Sequence, residues 1–371
     1  MKITCERETF AAAFQLAAGV APSRSPKAIL QNVKIIARDG AVTLSATDME
    51  VGIHLNVDGV EIETDGTALL PVQRVSSILR ESSDEHLTFE ASETGIKVRG
   101  SRSRFQLPGA NPDEFPSVAT FQETSYHEIA TRLFRELVRR TVFATDAESG
   151  RYALGGVLLE MEGERVTAVG TDGRRLATMT GTGVSIGEHK TSGTNTIVPN
   201  RSISLIERAL NDKDETVEVA ARSNDLLVRT PRCTIYSRLV EGRYPNWRQV
   251  LPQRDDVVTI DLTIGPLHAA LRQAAIVTDH ESRGIDFTFG EGTMLLEANT
   301  AEVGESRVEM PIGYEGEPIK VTLDHRFLAD FCKVLDAERT VQMEIESSDR
   351  PALLTTDDGF QYVVMPMARD R

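Results

Sequence analysis

Gly163-Glu164-Arg165-Val166-Thr167-Ala168-Val169-Gly170-Thr171-Asp172-Gly173-Arg174 decides the fold, because the chain carries this stretch more than once. It reads as a tight turn, an alternating strand and a Thr-Asp turn. About 124 residues earlier stands Asp39-Gly40-Ala41-Val42-Thr43-Leu44-Ser45-Ala46-Thr47-Asp48, and a fainter third copy runs from Gly290 to Thr300. A second marker keeps step: Pro71 to Arg80, then Pro199 to Arg208, then Leu323 to Phe331. Two markers holding one spacing indicate three tandem copies of one domain, with a period too long for a solenoid. Pro- and charge-rich connectors at Gly109 to Pro116 and Val250 to Asp256 set the expected copies at 1–120, 128–252 and 256–371.

Each copy is expected to open with an amphipathic helix: Arg7 to Val20, Thr131 to Asp146 and Pro266 to Asp279. In the second, Phe134, Leu137, Val138 and Val142 share a face, and Arg132, Arg135 and Arg139 fall on the other. Strands follow, including Ala41 to Thr47, Val51 to Val57, His86 to Ala91, Gly95 to Gly100, Leu226 to Arg229 and Val341 to Glu346. Two helices on an antiparallel sheet make each copy α+β. Gly181 to Asn195 reads as a polar loop without periodicity.

Hydrophobic residues make up 40% of the 371 residues and charged ones 26%, the balance of an ordinary globular protein of two or three domains. No run approaches the ~18 apolar residues of a membrane span, and the first twenty residues lack a signal-peptide layout. A cytoplasmic protein with no membrane partner is expected. Cys5, Cys233 and Cys332 are too few and scattered for a disulfide framework. The net charge of −15 argues against tight static binding of nucleic acid.

Catalytic motifs are missing their context. Gly183-Val184-Ser185-Ile186-Gly187 fits a nucleophile elbow, but Thr- and Gly-rich flanks replace the required strand and helix. There is no P-loop, and the seven histidines lack metal-ligand spacing. Asp48 and Asp172 recur at matching positions, which suits a turn role better than a carboxylate pair. No cofactor is expected.

Four further segments carry a resemblance over the whole chain. Met1-Lys2-Ile3-Thr4-Cys5-Glu6-Arg7 opens it. Thr171-Asp172-Gly173-Arg174-Arg175-Leu176-Ala177, Leu239-Val240-Glu241-Gly242-Arg243-Tyr244-Pro245 with Val250-Leu251-Pro252, and Tyr362-Val363-Val364-Met365-Pro366-Met367 follow in order. Together they resemble the beta subunit of bacterial DNA polymerase III, the sliding-clamp family. The resemblance implies a non-enzymatic clamp: three clamp-type domains dimerising head to tail into a six-domain ring around duplex DNA. It further implies partners in the replicative polymerase, the clamp loader and repair enzymes, which dock through short hydrophobic peptides. A ring retains DNA by topology, which reconciles the acidic total with a DNA partner. A peptide-binding adaptor without DNA, or an enzyme built on repeated α+β domains, are the alternatives.

By the same resemblance, Arg24, Arg80, Arg132, Arg135, Arg139, Tyr152, Arg201 and Arg272 are expected to contact DNA, where a merely solvated helix face is the plainer reading. Ala153 stands where the family has a second tyrosine after Tyr152. The peptide groove maps to Leu154, Thr171, Gly173, Arg174, Arg175, Leu176, Pro245, Val250, Phe327, Val363, Val364, Met365, Pro366 and Met367. Arg174 replaces the histidine of many relatives and Phe327 a tyrosine, and Ala368 to Arg371 extend past the usual end. The dimer seam is expected to join the basic Arg99, Arg102 and Arg104, with Phe105 and Leu107, to Glu297, Glu302 and Glu305, with Ile276 and Val277. Charged edge strands that block aggregation are the alternative there.

Overall fold

A computed structural model of the chain describes residues 1–92, 94–146, 152–191, 196–211, 213–252, 257–279 and 283–367. Among them run six α-helices, two in each copy. These are α1 Arg7–Ala18 and α2 Val72–Glu81, α3 Thr131–Val142 and α4 Asn200–Ala209, and α5 Ile264–Ala274 and α6 His325–Lys333. The spacing of apolar positions sets their faces: Val75, Ile78 and Leu79 of α2 are buried, as are Phe134, Leu137 and Val138 of α3. The opening helices stop earlier than their periodicity suggested. Helix α5 begins two residues before Pro266, because a proline in the first turn forfeits no intrahelical bond.

The chain packs as two compact units. The first comprises Met1–Phe134, Glu162–Glu164 and Gly183–Leu239, and the second Arg135–Met161, Arg165–Thr182 and Val240–Arg371. The middle copy therefore contributes segments to both.

Two sheets build the first unit. One has five strands in the order Val60–Thr64, Lys2–Glu6, His86–Ser92, Gly95–Arg99, Arg104–Leu107. The other has nine: Val184–Ile186, Tyr126–Ala130, Thr216–Ala221, Asp225–Arg229, Cys233–Arg238, Val51–Val57, Ala41–Thr47, Asn32–Arg38, Gly66–Pro71. Val184–Ile186 corrects the expected loop at Gly181 to Asn195, since it pairs with Tyr126–Ala130 as an edge strand. Three residues are too few for alternation to register; residues 192–195 of that stretch lie outside the described part. Ser185 Oγ donates to the carbonyl of His189 at 2.9 Å, so the elbow-like motif is an edge strand with its turn and not a strand-to-helix elbow.

In the second unit, Gly156–Glu162, Arg165–Thr171, Arg175–Thr182, Phe360–Val364, Ala352–Thr355, Thr340–Ile345 and Val258–Thr263 follow one another in one sheet. Gly304–Pro311, Thr293–Thr300, Gly284–Gly290 and Ile319–Asp324 form a four-stranded sheet. Gly170 is where α3 closes onto its strands: a Cβ there would collide with the Thr141 carbonyl oxygen.

Consecutive copies are joined by one rule. Cys233–Arg238, the last strand of copy two, pairs antiparallel with Val51–Val57 of copy one, Ile235 facing Ile53. Phe360–Val364, the last strand of copy three, pairs in the same way with Arg175–Thr182 of copy two, Leu176 facing Val363. In each case the strand that follows the Thr-Asp turn receives the final strand of the next copy. Two strands are left over by this rule: Gly304–Pro311, after the third turn, and Arg104–Leu107, the last of copy one. Both are sheet edges.

Candidate functional site

The repeated turn is closed by the same hydroxyl in all three copies. Thr47 Oγ1 donates to Val51 O at 2.8 Å, Thr171 Oγ1 to Arg175 O at 2.6 Å, and Thr300 Oγ1 to Gly304 O at 3.3 Å. Asp48 Oδ1 accepts from Glu50 N and Val51 N, and Asp172 Oδ1 from Arg174 N and Arg175 N. The two aspartates are turn formers, as their recurrence implied. Gly173 supplies the left-handed residue of the second turn at φ 88°.

That second turn aims the groove. Strand pairing sets Leu176 against Val363 and Arg175 against Val364, and Met365 N donates to Arg174 O at 2.9 Å. Met367 N donates to Thr322 O at 2.9 Å. Leu154 joins through its carbonyl, which accepts from Asp146 N. Pro245 is carried by Tyr244, whose buried hydroxyl donates to Val169 O at 3.0 Å. Leu154, Leu176, Phe327, Val363 and Val364 are buried, whereas Val250 is 39% and Met365 41% exposed. A buried apolar floor with exposed, flexible apolar side chains suits adaptable docking.

Arg175 organises this region. Its guanidinium donates to Asp172 Oδ2 at 3.0 Å, Asp330 Oδ2 at 2.9 Å and Phe143 O at 2.8 Å, and stacks 4.5 Å from the Phe327 ring centre. Burial works against its charge, but Tyr362, Asp330 and Asp172 outweigh burial and hold its pKa above the ordinary value. Arg174 lies over the same ring at 5.8 Å. Burial pushes the Tyr362 phenol well up; its hydroxyl donates to Phe327 O at 3.0 Å. Beside Arg174, Arg175 and Phe327 opens a cavity of about 680 Å³ that α5 and α6 also line. Asp330 and Lys333 of its wall escaped sequence reasoning. The available signal was helical spacing, since Asp330 lies three residues after Phe327 on α6.

The expected DNA contacts divide between the units. In the first, Arg24 and Arg132 are exposed, Arg80 pairs with Glu81 at 2.8 Å, and Arg201 is held by Asp48 and by the Val20 carbonyl at 2.9 Å. In the second, Arg135 is partly exposed, and Arg139 donates to Val334 O at 2.9 Å and pairs with Glu136. Arg272 lines the cavity beside Phe327. Tyr152 begins a short 3-10 turn. Its side chain, Arg151, and the extension from Ala368 to Arg371 lie outside the described residues.

The expected seam residues sit on or near the two leftover edges. Arg104, Phe105 and Leu107 occupy one, with Phe105 36% exposed and Leu107 buried. Arg99 lies on the neighbouring strand, paired with Glu90, and Arg102 is exposed in the hairpin turn. Glu305 is exposed on the other edge and Glu302 in the turn before it, while Glu297 lies 3.8 Å from Arg307. Ile276, 74% exposed, and Val277 belong to the 3-10 turn after α5.

The histidines are less dispersed than their spacing suggested: folding brings His127 and His189 into contact. Among the described residues no group of three His, Cys, Asp or Glu could hold a metal ion. No described helix is long and apolar enough to cross a membrane. All three cysteines are free and buried, and burial pushes the Cys5 and Cys332 thiols up to about 12.

Three tandem α+β domains that share sheets define the class, that of clamp-type domain repeats. Family models for the DNA polymerase III beta subunit match residues 1–119 as its N-terminal, 128–246 as its central and 248–368 as its C-terminal domain. The chain belongs to the DNA polymerase III beta subunit family, the non-catalytic processivity subunit of that polymerase. It is 29% identical to the beta sliding clamp of Pseudomonas putida over 99% of this chain and all of that one. With the beta sliding clamp of Escherichia coli (strain K12) it shares 28% over 99% of this chain and all of the relative. Among solved structures, the sliding clamp of Pseudomonas aeruginosa bound to griselimycin superposes with a TM-score of 0.90 at 28% identity, covering 100% of both chains.

Proposed function

We propose that two copies of this chain join head to tail into a six-domain ring that encircles duplex DNA in the cytoplasm and tethers the polymerase to it. The observation that carries this is the unfinished joining rule. Among the described residues each edge strand left over, Arg104–Leu107 and Gly304–Pro311, lacks the partner that its counterparts have inside the chain. Pairing the last strand of copy one with the open strand of copy three of a second molecule completes the rule twice and closes a ring. Opposite charge on the two edges favours that pairing over like with like. Two such heterologous, head-to-tail contacts close the ring, and each molecule uses both of its edges once.

Threading then replaces gripping. A chain of net charge −15 needs only weak contacts from residues such as Arg24, Arg132 and Arg201, and weak contacts permit sliding. Apolar peptides of the polymerase, the loader and repair enzymes would occupy the groove of Leu154, Leu176, Val250, Val363 and Met365. A tethered polymerase rebinds the same primer end at high effective concentration.

The test is loading onto nicked circular DNA by a clamp loader with ATP. Protein should co-elute with the circles and be released when they are linearised. Retention on linear DNA with free ends would refute encirclement.

A further inference from the structure

We propose that the cavity beside Arg174 receives the acidic side chains of a partner peptide whose apolar anchors lie in the adjoining groove. This rests on the groove reading above and adds a charge requirement to it.

The cavity is large enough for several side chains, at about 680 Å³. Among the described residues its wall carries six Arg or Lys side chains against three Asp. Two of those carboxylates, Asp172 and Asp330, are already held by part-buried Arg175, and Arg326 is held by Asp324. Arg272 is exposed and has no ion-pair partner among the described residues, and Arg174 reaches only the ring of Phe327. The wall is thus a local positive field on an acidic protein, and a concave wall concentrates such a field. Lys333, also in the lining, pairs with Asp330 yet keeps its side chain 61% exposed.

Continuity with the groove favours a peptide. Arg174, Arg175 and Phe327 belong to both sites, and the Arg174 carbonyl is bonded to Met365 N. Leu271 gives the cavity an apolar portion suited to side-chain stems. Single-stranded nucleic acid would need an aromatic face for base stacking. Among the described residues the one phenyl ring in the wall, Phe327, is already stacked by two guanidinium groups, which leaves only the smaller imidazoles of His268 and His325.

Two fluorescein-labelled peptides test this against the full chain. They share one Leu-Leu-Phe anchor, flanked on both sides by three glutamates in one and three glutamines in the other. At about 150 mM salt, anisotropy titration should give the glutamate peptide about tenfold tighter binding. That ratio should fall toward one in Lys333→Glu and in Arg272→Glu. Equal affinities for the unaltered protein would overturn the proposal, as would a ratio that survives both substitutions. A labelled oligothymidylate whose binding depends on Arg272 and Lys333, with no preference between the peptides, would assign the cavity to nucleic acid instead. If neither peptide binds, the groove reading itself fails and this one falls with it.

Discussion

The Nδ1 atoms of His127 and His189 stand 2.7 Å apart in the buried interior of the first unit. Ala221 N donates to His189 Nε2 at 3.0 Å, so His189 carries its proton on Nδ1 and gives it to His127. His127 Nε2 in turn donates to Gly163 O at 2.9 Å. The relay is complete only while both rings are neutral. A second proton would set two N–H groups against each other.

Burial lowers the pKa of both histidines, with Arg222-paired Glu123 the nearby carboxylate that pulls His189 the other way. The unfolded chain therefore takes up protons first. Stability from the pair is fully present above about 6.5 and is lost as pH falls through the depressed folded values. Thermal unfolding between pH 7.5 and 5 should show Tm falling more steeply for the unaltered chain than for the His127→Leu, His189→Leu double variant. Parallel curves would mean that the pair does not titrate on unfolding.

Arg175→Met should cost about 1–3 kcal/mol, because Asp172 and the Phe143 carbonyl each lose a charged donor in a part-buried site. Urea unfolding monitored by circular dichroism measures it. Exposed Arg174→Met, which breaks no ion pair among the described residues, should change stability by under about 0.5 kcal/mol. Equal losses in the two variants would remove Arg175 from its organising role.

Met365→Asp places a charge on an exposed groove position and should leave the unfolding transition almost unmoved. Affinity for an apolar peptide should fall at least about tenfold, since a carboxylate would have to be desolvated on binding. Isothermal titration of the folded variant checks both halves. Undiminished affinity would place the peptide elsewhere.

Phe105→Asp and Ile276→Asp alter exposed side chains near the two leftover edges. Light scattering at micromolar concentration should report a dimer for the unaltered chain and a monomer for each variant. Circular dichroism should be unchanged in all three. A variant that stays dimeric would exclude its edge from the seam.

Some of the site was readable before folding. The Thr-Asp turns were legible because turn chemistry is local: Asp48 and Asp172 bond backbone N–H groups two and three residues away. The proposed groove residues came from resemblance, not from pattern, since an apolar terminal strand such as Phe360–Val364 looks like any core strand. Val184–Ile186 was too short to read, and the third copy's marker was faint because Ala301 replaces the aspartate while Thr300 keeps the closing bond.

The residue order alone determined that one α+β domain occurs three times, since turns and alternating strands are written within a dozen residues of each other. It also determined two helices per copy, and an acidic total that rules out a tight static grip on phosphate. Only the tertiary structure decided which distant residues meet: Arg175 with Asp330, His127 with His189, and the final strand of one copy with the turn strand of the copy before. Those meetings span 62 residues of chain for the histidines, 155 for Arg175 and Asp330, and more for the paired strands, where no local periodicity reaches. Tertiary pairing also decided which two strands of the described residues keep one open side under the joining rule.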